Sequence, residues 1–309
     1  MHEVIDLKSV VEHGEYQGLA LIHSYDKKLD DSKRPLNGML HHKGKYLKFK
    51  IWDANLQSMF NQNELAGSIV HIIGKAGSYQ GVLDITITDV RFDHGFADFS
   101  QFTKSVDVDA VFKAFGGFIN THLTPKAVNV INTVFLNENL YERFKLAWAA
   151  MKLHDAQVGG LMNHSLKMLN LAKAMIDNDP RLLPFADLIY TGIIFHDVGK
   201  IYELDQLGNY TKTSFAGHRT IGVEMMARNK NVFLENFDEH FYYHILEIIT
   251  GHHGEEHGDK PKTVWAYVIH FIDMIDSQVT GFMDKLENNE VVEYNGNKAL
   301  RNHGTNLVL

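Results

Sequence analysis

Five places along this chain carry side chains suited to a divalent cation: His164, the pair His196-Asp197, His218, the pair His252-His253, and Asp273. The most telling is Phe195-His196-Asp197-Val198-Gly199-Lys200, where a histidine and a carboxylate stand side by side ahead of a glycine. Neighbouring residues do not share a helix face. Both can still reach one ion if the helix ends there and a turn re-aims the backbone. A divalent ion needs neutral imidazoles and carboxylates converging from separate elements, because one short element rarely supplies more than two. Each residue taken singly has an ordinary reading. A lone His164 or His218 caps a helix or sits on the surface, and His252-His253-Gly254 with Glu255, Glu256 and His257 reads as a solvated turn. Asp273 is harder to dismiss, since a carboxylate amid Val268, Ile269, Phe271, Ile272 and Ile275 is costly to bury without a partner. In the order H…HD…H…HH…D the residues form one constellation.

To meet, these residues need helices with ends that converge. From Val108 onward, apolar residues recur at i, i+3, i+4 steps. Helices are predicted at Asp107–Asn120, Pro125–Leu136, Glu138–Met151, Met162–Ile176, Phe185–Phe195, His218–Arg228, Glu239–Thr250 and Thr263–Met283. Asp107 and Thr124-Pro125 are good helix starts and Asp179-Pro180 a good stop. On this map His164 lies in the first turns of a helix behind Gly159-Gly160, and His196-Asp197 end the next. His218 opens another after Ala216-Gly217, and His252-His253 follow Gly251 at a helix end. Asp273 shares an apolar stripe with Ile269 and Ile272. The tail Asn288–Leu309 is polar with a few strand-like residues and has no assigned place.

The first part of the chain is β-rich. Strand-like runs occur at Tyr16–Ser24, Lys45–Asp53, Ser68–Lys75 and Val82–Arg91, with turns at Asn37-Gly38, Lys43-Gly44 and Gln80-Gly81 and a helical insert at Asn55–Leu65. Four or five short strands in about 90 residues fit a small closed barrel. Side chains alternate along a strand, so Leu47, Phe49 and Ile51 should fill the barrel while Tyr46, Lys48, Lys50 and Trp52 face outward. With Tyr79 nearby, these cations and rings suit single-stranded nucleic acid. Trp52 is equally suited to packing on the helical part.

The chain has 309 residues, 45% apolar and 22% charged, as expected of a globular protein of two domains. Its net charge of −8 argues against broad electrostatic affinity for nucleic acid, though not against a local basic groove. The absence of cysteine excludes disulfides, thiolate nucleophiles and Cys-based zinc sites. The longest apolar runs, such as Leu188–Phe195, look too short for a bilayer. With no basic region and apolar stretch behind Met1, a cytoplasmic location is expected.

The ligand order resembles that of HD-domain metal-dependent phosphohydrolases, which are all-helical. Gly159-Gly160-Leu161-Met162-Asn163-His164-Ser165, His196 through Leu204, Gly217-His218 and His252-His253-Gly254 look like the YhaM-type 3′→5′ exoribonucleases. That group also carries an N-terminal OB-fold, which Lys50-Ile51-Trp52-Asp53-Ala54 and Gly74–Arg91 resemble. The likeness covers most of residues 15–285. It implies a multidomain chain of α and β parts, a small OB-fold-like barrel followed by an all-α HD-domain bundle. The divisions are 1–92 for the barrel, 93–106 for a linker, 107–287 for the HD domain and 288–309 for a tail. The chain departs from the family at His154-Asp155-Ala156-Gln157, where His-His-Ala-Tyr is usual, so a substrate contact near His154 is altered.

By this resemblance, His164, His196, Asp197 and Asp273 hold one ion. Asp197, His218 and His252 hold a second, with Asp197 bridging and His253 available to either. Mixed imidazole and carboxylate ligands suit Mn²⁺, Fe²⁺ or Zn²⁺ better than Mg²⁺, and the family implies manganese. Asp197 and Lys200 are the expected catalytic groups, Lys200 being three residues from Asp197 and placed to reach a phosphate oxygen. On spacing alone Lys200 is as well explained as an exposed lysine after a turn. The implied activity is a 3′→5′ exoribonuclease releasing nucleoside monophosphates. The implied partners are single-stranded RNA or DNA and no membrane, and a homo-oligomer is compatible. The competing readings are a phosphohydrolase of a small nucleotide, with the barrel serving assembly or regulation, and a strand-binding module with a structural metal.

Overall fold

A computed structural model describes residues 3–26, 34–63, 65–91, 101–150, 155–205, 207–254, 260–287, 292–294 and 297–300. The chain divides into two compact units, Met1–Lys104 and Ser105–Leu309.

The first unit is a closed barrel of β1 (Glu15–Tyr25), β2 (Leu36–His42), β3 (Lys45–Ile51), β4 (Ile69–Tyr79) and β5 (Val82–Arg91), in the order β1-β2-β3-β5-β4. Neighbours are antiparallel except β3 and β5, which run parallel with Lys48 opposite Asp84. The predicted alternation holds: Leu47, Phe49 and Ile51 are buried, while Tyr46, Lys48 and Trp52 are exposed. Helix α1 (Ala54–Asn63) closes the barrel with Phe60, whose ring lies 5.3 Å from that of Tyr25 and 5.9 Å from that of Phe49.

One expectation fails here. Asn37-Gly38 is not a turn but lies inside β2, with Gly38 opposite Phe49. A Cβ on Gly38 would meet the Phe49 ring at 2.4 Å and the Ser24 carbonyl oxygen at 2.5 Å. The glycine is there for close approach, not for a reversal. The other two turns stand as hairpins, with positive φ at Lys43 and Gly44 and at Gln80 and Gly81.

The second unit is helical: α2 (Val108–His122), α3 (Pro125–Asn137), α4 (Tyr141–Leu146), α5 (Gly160–Asn178), α6 (Ala186–Phe195), α7 (Lys200–Glu203), α8 (His218–Arg228), α9 (Lys230–Asn236), α10 (Glu239–Gly251) and α11 (Val264–Glu287). A two-stranded hairpin, β6 (Val292–Tyr294) and β7 (Asn297–Leu300), lies in the tail that the sequence left unassigned. Asp107 caps α2 by accepting from the Ala110 N–H at 3.0 Å, as its position predicts. Thr124 makes no such cap on α3. Its hydroxyl and backbone N–H go to Asp187 instead.

Of the predicted helix Glu138–Met151, Met151 lies outside the described residues and the rest shrinks to α4. Asn139 takes a left-handed φ of 52°, which separates α3 from α4. Beyond Leu146 the backbone leaves the helix to accept from the 159–161 segment, Gly159 N–H to Leu146 and Leu161 N–H to Ala147. Trp148 and Ala149 are buried there. Backbone pairing with a distant segment outweighs local helical propensity.

Helix α6 is buried on every side from Leu188 to Phe195. It is therefore the central helix of this unit, packed by α5, α10 and α11. The stretch Pro180–Glu203 around it is long and apolar enough to cross a membrane by length and composition alone, but most of its apolar part is buried inside the helical unit.

Candidate metal centre and barrel cleft

The central helix ends at the chemistry. His196 is the C-cap of α6 and Asp197 follows, both almost wholly buried. Gly199 lets the start of α8 close over them, since a Cβ there would lie 1.9 Å from the His218 carbonyl oxygen. His164 enters from the second turn of α5, His252 caps the end of α10, and Asp273 comes from the middle of α11. The apolar setting of Asp273 is narrower than expected. Ile269 and Ile272 are buried, but Phe271 and Ile275 face outward.

Four of the five imidazoles are held by their Nδ1. That of His196 meets the Ile193 carbonyl at 2.6 Å and that of His252 the Ile249 carbonyl at 3.0 Å. Nδ1 of His218 is 2.8 Å from Glu203, and Nδ1 of His164 is 2.7 Å from Asp276. All four Nε2 atoms are thereby turned inward. Asp197 divides its two oxygens among them. Oδ2 lies 3.3 Å from His196 Nε2, while Oδ1 lies 3.4 Å from the Nε2 of both His218 and His252. His164 Nε2 is 3.3 Å from Asp273. His253 Nε2 faces that of His218 at 3.1 Å.

The electrostatics are those of a cation site. Burial would push the Asp197 carboxyl up, but Lys200 and His196 outweigh it and hold the acid well below the usual range. Asp273 is likewise held down by His164 against its burial. Burial drives His252 down, and His253 to about 2, with the neighbouring His252 adding to the latter. Burial would also lower His164, but its hydrogen bonds to Asp273 and Asp276 raise it to about 9.

The donor set fits divalent metal ions. His196 Nε2, His252 Nε2 and Asp197 Oδ1 are buried with no hydrogen-bond partner among the described residues. Orphaned buried polar atoms are rare, and three converging on one point call for a cation. Among the described residues, four groupings have ligand atoms within 4.8 Å of one another: Asp197 with His218, His252 and His253; His164 with His196 and Asp197; His196 with His252 and Asp273; and Asp155 with His164 and Asp276. All seven ligand candidates read from the sequence thus converge. Lys200 is not extended to solvent. Its Nζ lies 2.6 Å from Asp197 Oδ2, with the side chain 16% exposed. His154 lies outside the described residues.

Sequence reasoning missed Glu203 and Asp276, the carboxylates behind His218 and His164. It also missed Lys167, which reaches Asp155 at 2.6 Å and Asp276 at 3.2 Å. A signal existed: Asp276 stands three residues after Asp273, and Lys167 three after His164, so each shares its neighbour's helix face.

On the barrel, a cavity of about 590 Å³ collects Lys48, Lys50 and Tyr79 with Asn37, Met39 and Asp84 among its lining. Lys50 Nζ lies 5.6 Å from the Tyr79 ring centre and is paired with Asp84 at 2.5 Å. Tyr46 and Trp52 do not line it. Tyr46 stacks on His41 at 4.7 Å, and Trp52 stands 55% exposed.

The HD-domain family model matches residues 161–278, which contain every ligand candidate. The chain is 28% identical over 290 residues to the 3′-5′ exoribonuclease YhaM of Bacillus licheniformis, covering 89% of this chain and 88% of that protein. It is 27% identical to the protein of that name from Bacillus subtilis, with the same coverage. Against that from Listeria welshimeri it is 28% identical, covering 81% of this chain and 80% of the relative. No solved structure matches. The chain is a hydrolytic enzyme that joins a five-stranded barrel to a metal-dependent HD domain and is similar along most of its length to the YhaM exoribonucleases.

Proposed function

We propose that this protein is a cytoplasmic 3′→5′ exoribonuclease that shortens single-stranded RNA, and DNA as a second substrate, to nucleoside monophosphates. The observation that carries this reading is Asp197, a buried carboxylate with its two oxygens directed to different imidazoles. A carboxylate bridges two cations where an imidazole cannot. In this reading His164, His196, Asp197 and Asp273 hold one ion, and Asp197, His218 and His252 a second, with His253 beside them. Mn²⁺ suits the set best. Bound ions would supply charge neutralisation at the phosphodiester and activation of the attacking water.

The chain's own groups do the rest. The Nδ1 anchors aim the Nε2 atoms of His164, His196, His218 and His252 inward, and the apolar walls of α6 exclude bulk water. Lys200 lies beside Asp197, where its ammonium can move onto a phosphate oxygen. We assign strand gripping to the barrel of residues 1–92, joined through 93–106 to a catalytic part of 107–287. Tyr79 stacks a base and Lys48 meets the backbone. Lys50 contributes less positive charge than its type suggests, because Asp84 offsets it.

Full-length protein with Mn²⁺ is expected to shorten a 3′-labelled single-stranded RNA stepwise, and the His196→Ala variant to leave it intact. The net charge of −8 and the Lys50–Asp84 pair favour the alternative of a small-nucleotide phosphohydrolase. Hydrolysis of mononucleotides or cyclic dinucleotides with the oligomer untouched would establish that alternative and refute ours.

A further inference from the structure

His164 is the most heavily supported ligand candidate, and the support reaches the segment where this chain departs from the related motif. The imidazole lies between two carboxylates of α11, with Nε2 toward Asp273 at 3.3 Å and Nδ1 toward Asp276 at 2.7 Å. Asp276 Oδ2 also accepts from Lys167 at 3.2 Å. Lys167 in turn donates to Asp155 Oδ2 at 2.6 Å and to the Thr280 hydroxyl at 2.9 Å. The other Asp155 oxygen accepts from the Asn163 amide at 2.8 Å. Asp155 and Asp276 are both buried, with side chains 2% and 7% exposed.

We propose that Asp155, Lys167 and Asp276 form a positioning unit that holds His164 with Nε2 toward the metal centre and so sets how tightly that side of the centre takes a divalent ion. The proposal rests on the reading of His164 as a ligand. Asp155, His164 and Asp276 have ligand atoms within 4.8 Å of one another, so the cluster resembles one more ion site. Its cation is already in place, covalently, as the Lys167 ammonium. Two buried carboxylates without that charge would repel each other and pull at the imidazole proton from a drifting position. With it, Asp276 is fixed from one side by Lys167 and fixes Nδ1–H from the other. The Nε2 lone pair then has one direction. Carboxylates behind metal-bound histidines act in this way, and their loss lowers metal affinity about 10–100-fold.

The unit belongs to the fold as well as to the site. His164 and Lys167 are three residues apart on α5, and Asp273, Asp276 and Thr280 share one stripe of α11. Asp155, ahead of α5, is joined to the same stripe by Lys167. A substitution at Asp155 should therefore act on the metal centre without touching a ligand.

The test uses metal-stripped full-length protein titrated with Mn²⁺ alone, free Mn²⁺ being read by its paramagnetic resonance signal and heat by calorimetry. Lys167→Met and Asp276→Ala are expected to weaken one ion about 10–100-fold. Lys167→Arg, which keeps the charge, should restore affinity to within about threefold of the parent, and Asp155→Asn should fall between. With an oligonucleotide, kcat should fall and half-activating Mn²⁺ should rise while KM stays constant. Should Asp276→Ala lose its helical circular dichroism, Asp276→Asn is read in its place. Mn²⁺ affinities within twofold of the parent in folded Lys167→Met and Asp276→Asn would overturn the proposal, as would an unchanged affinity in His164→Ala. Because the Mn²⁺ readout involves no substrate, a parent protein inactive on RNA would refute the exoribonuclease reading and leave this one standing.

Discussion

Asp197→Asn is the sharpest perturbation of this protein, because it keeps shape and removes one charge from the centre of the site. In the metal-free protein the Asp197 carboxylate holds the Lys200 ammonium at 2.6 Å, with side chains 4% and 16% exposed. Coulomb attraction at that separation is about 6 kcal/mol at an effective dielectric of about 20. Desolvation of both charges consumes much of it, and loss of one partner of such a buried pair costs about 3–5 kcal/mol. The partial exposure of Lys200 lets its ammonium turn toward water, which favours the lower end. For a unit the size of Ser105–Leu309, 3 kcal/mol corresponds to a fall in Tm of about 6–12 °C. Mn²⁺ then divides the two proteins further. At 100 times Kd a single ion adds about 2.7 kcal/mol to the parent, and the variant, lacking the carboxylate shared by both groups of imidazoles, should gain almost nothing. The assay is thermal unfolding followed by circular dichroism, with chelator and then across a Mn²⁺ series, with oligonucleotide hydrolysis alongside. A variant that keeps the Mn²⁺-dependent rise in Tm and hydrolyses within tenfold of the parent would refute the central place given to Asp197.

Three further outcomes follow from the same geometry. Gly199→Ala places a Cβ 1.9 Å from the His218 carbonyl oxygen; overpacking costs about 1–3 kcal/mol, and Mn²⁺ stoichiometry measured by calorimetry should fall as α8 is pushed away. Tyr79→Ala removes an exposed stacking ring from the barrel cleft; loss of about 1–3 kcal/mol should raise KM for a single-stranded oligonucleotide and leave Mn²⁺ affinity unchanged, and an unaltered KM would exclude Tyr79 from substrate binding. In the metal-free protein His164 is raised from 6.5 to about 9. Its charged form therefore contributes stability that is complete below pH 6.5 and lost as pH rises through about 9. Since a ligand imidazole must be neutral, Mn²⁺ affinity should rise over the same interval with release of about one proton. Calorimetry in buffers of different ionisation enthalpy measures that release, and a pH-independent affinity would contradict it.

Much of the site was readable in one dimension. The candidates His164, His196, Asp197, His218 and His252 were legible because they lie at or near helix ends, which glycines such as Gly217 and Gly251 mark in the sequence. Asp273 was legible because a carboxylate on an apolar stripe calls for a partner. The strand Lys45–Ile51 was legible because alternation leaves Leu47, Phe49 and Ile51 no second use. The misreadings share a cause. Asn37-Gly38 has turn chemistry, yet the Phe49 ring across the sheet claims the space a side chain would fill. Residues 147–149 have helical propensity, yet the 159–161 segment offers hydrogen bonds to the 146–147 carbonyls. In both, a partner distant in sequence decided.

Residue types and spacing by themselves assembled imidazoles and carboxylates suited to a divalent cation, carried on helices behind a barrel, and the resemblance to HD-domain proteins gave their order its meaning. Tertiary structure alone decided how each ligand is held. It placed Glu203 behind His218, Asp276 behind His164, and Lys167 between Asp276 and Asp155. It also withdrew Tyr46 and Trp52 from the barrel cleft and tied Lys50 to Asp84. The reason is physical. A ligand's identity is a property of one side chain, whereas its orientation and charge depend on which group packs against its far side, and that group comes from another helix or strand.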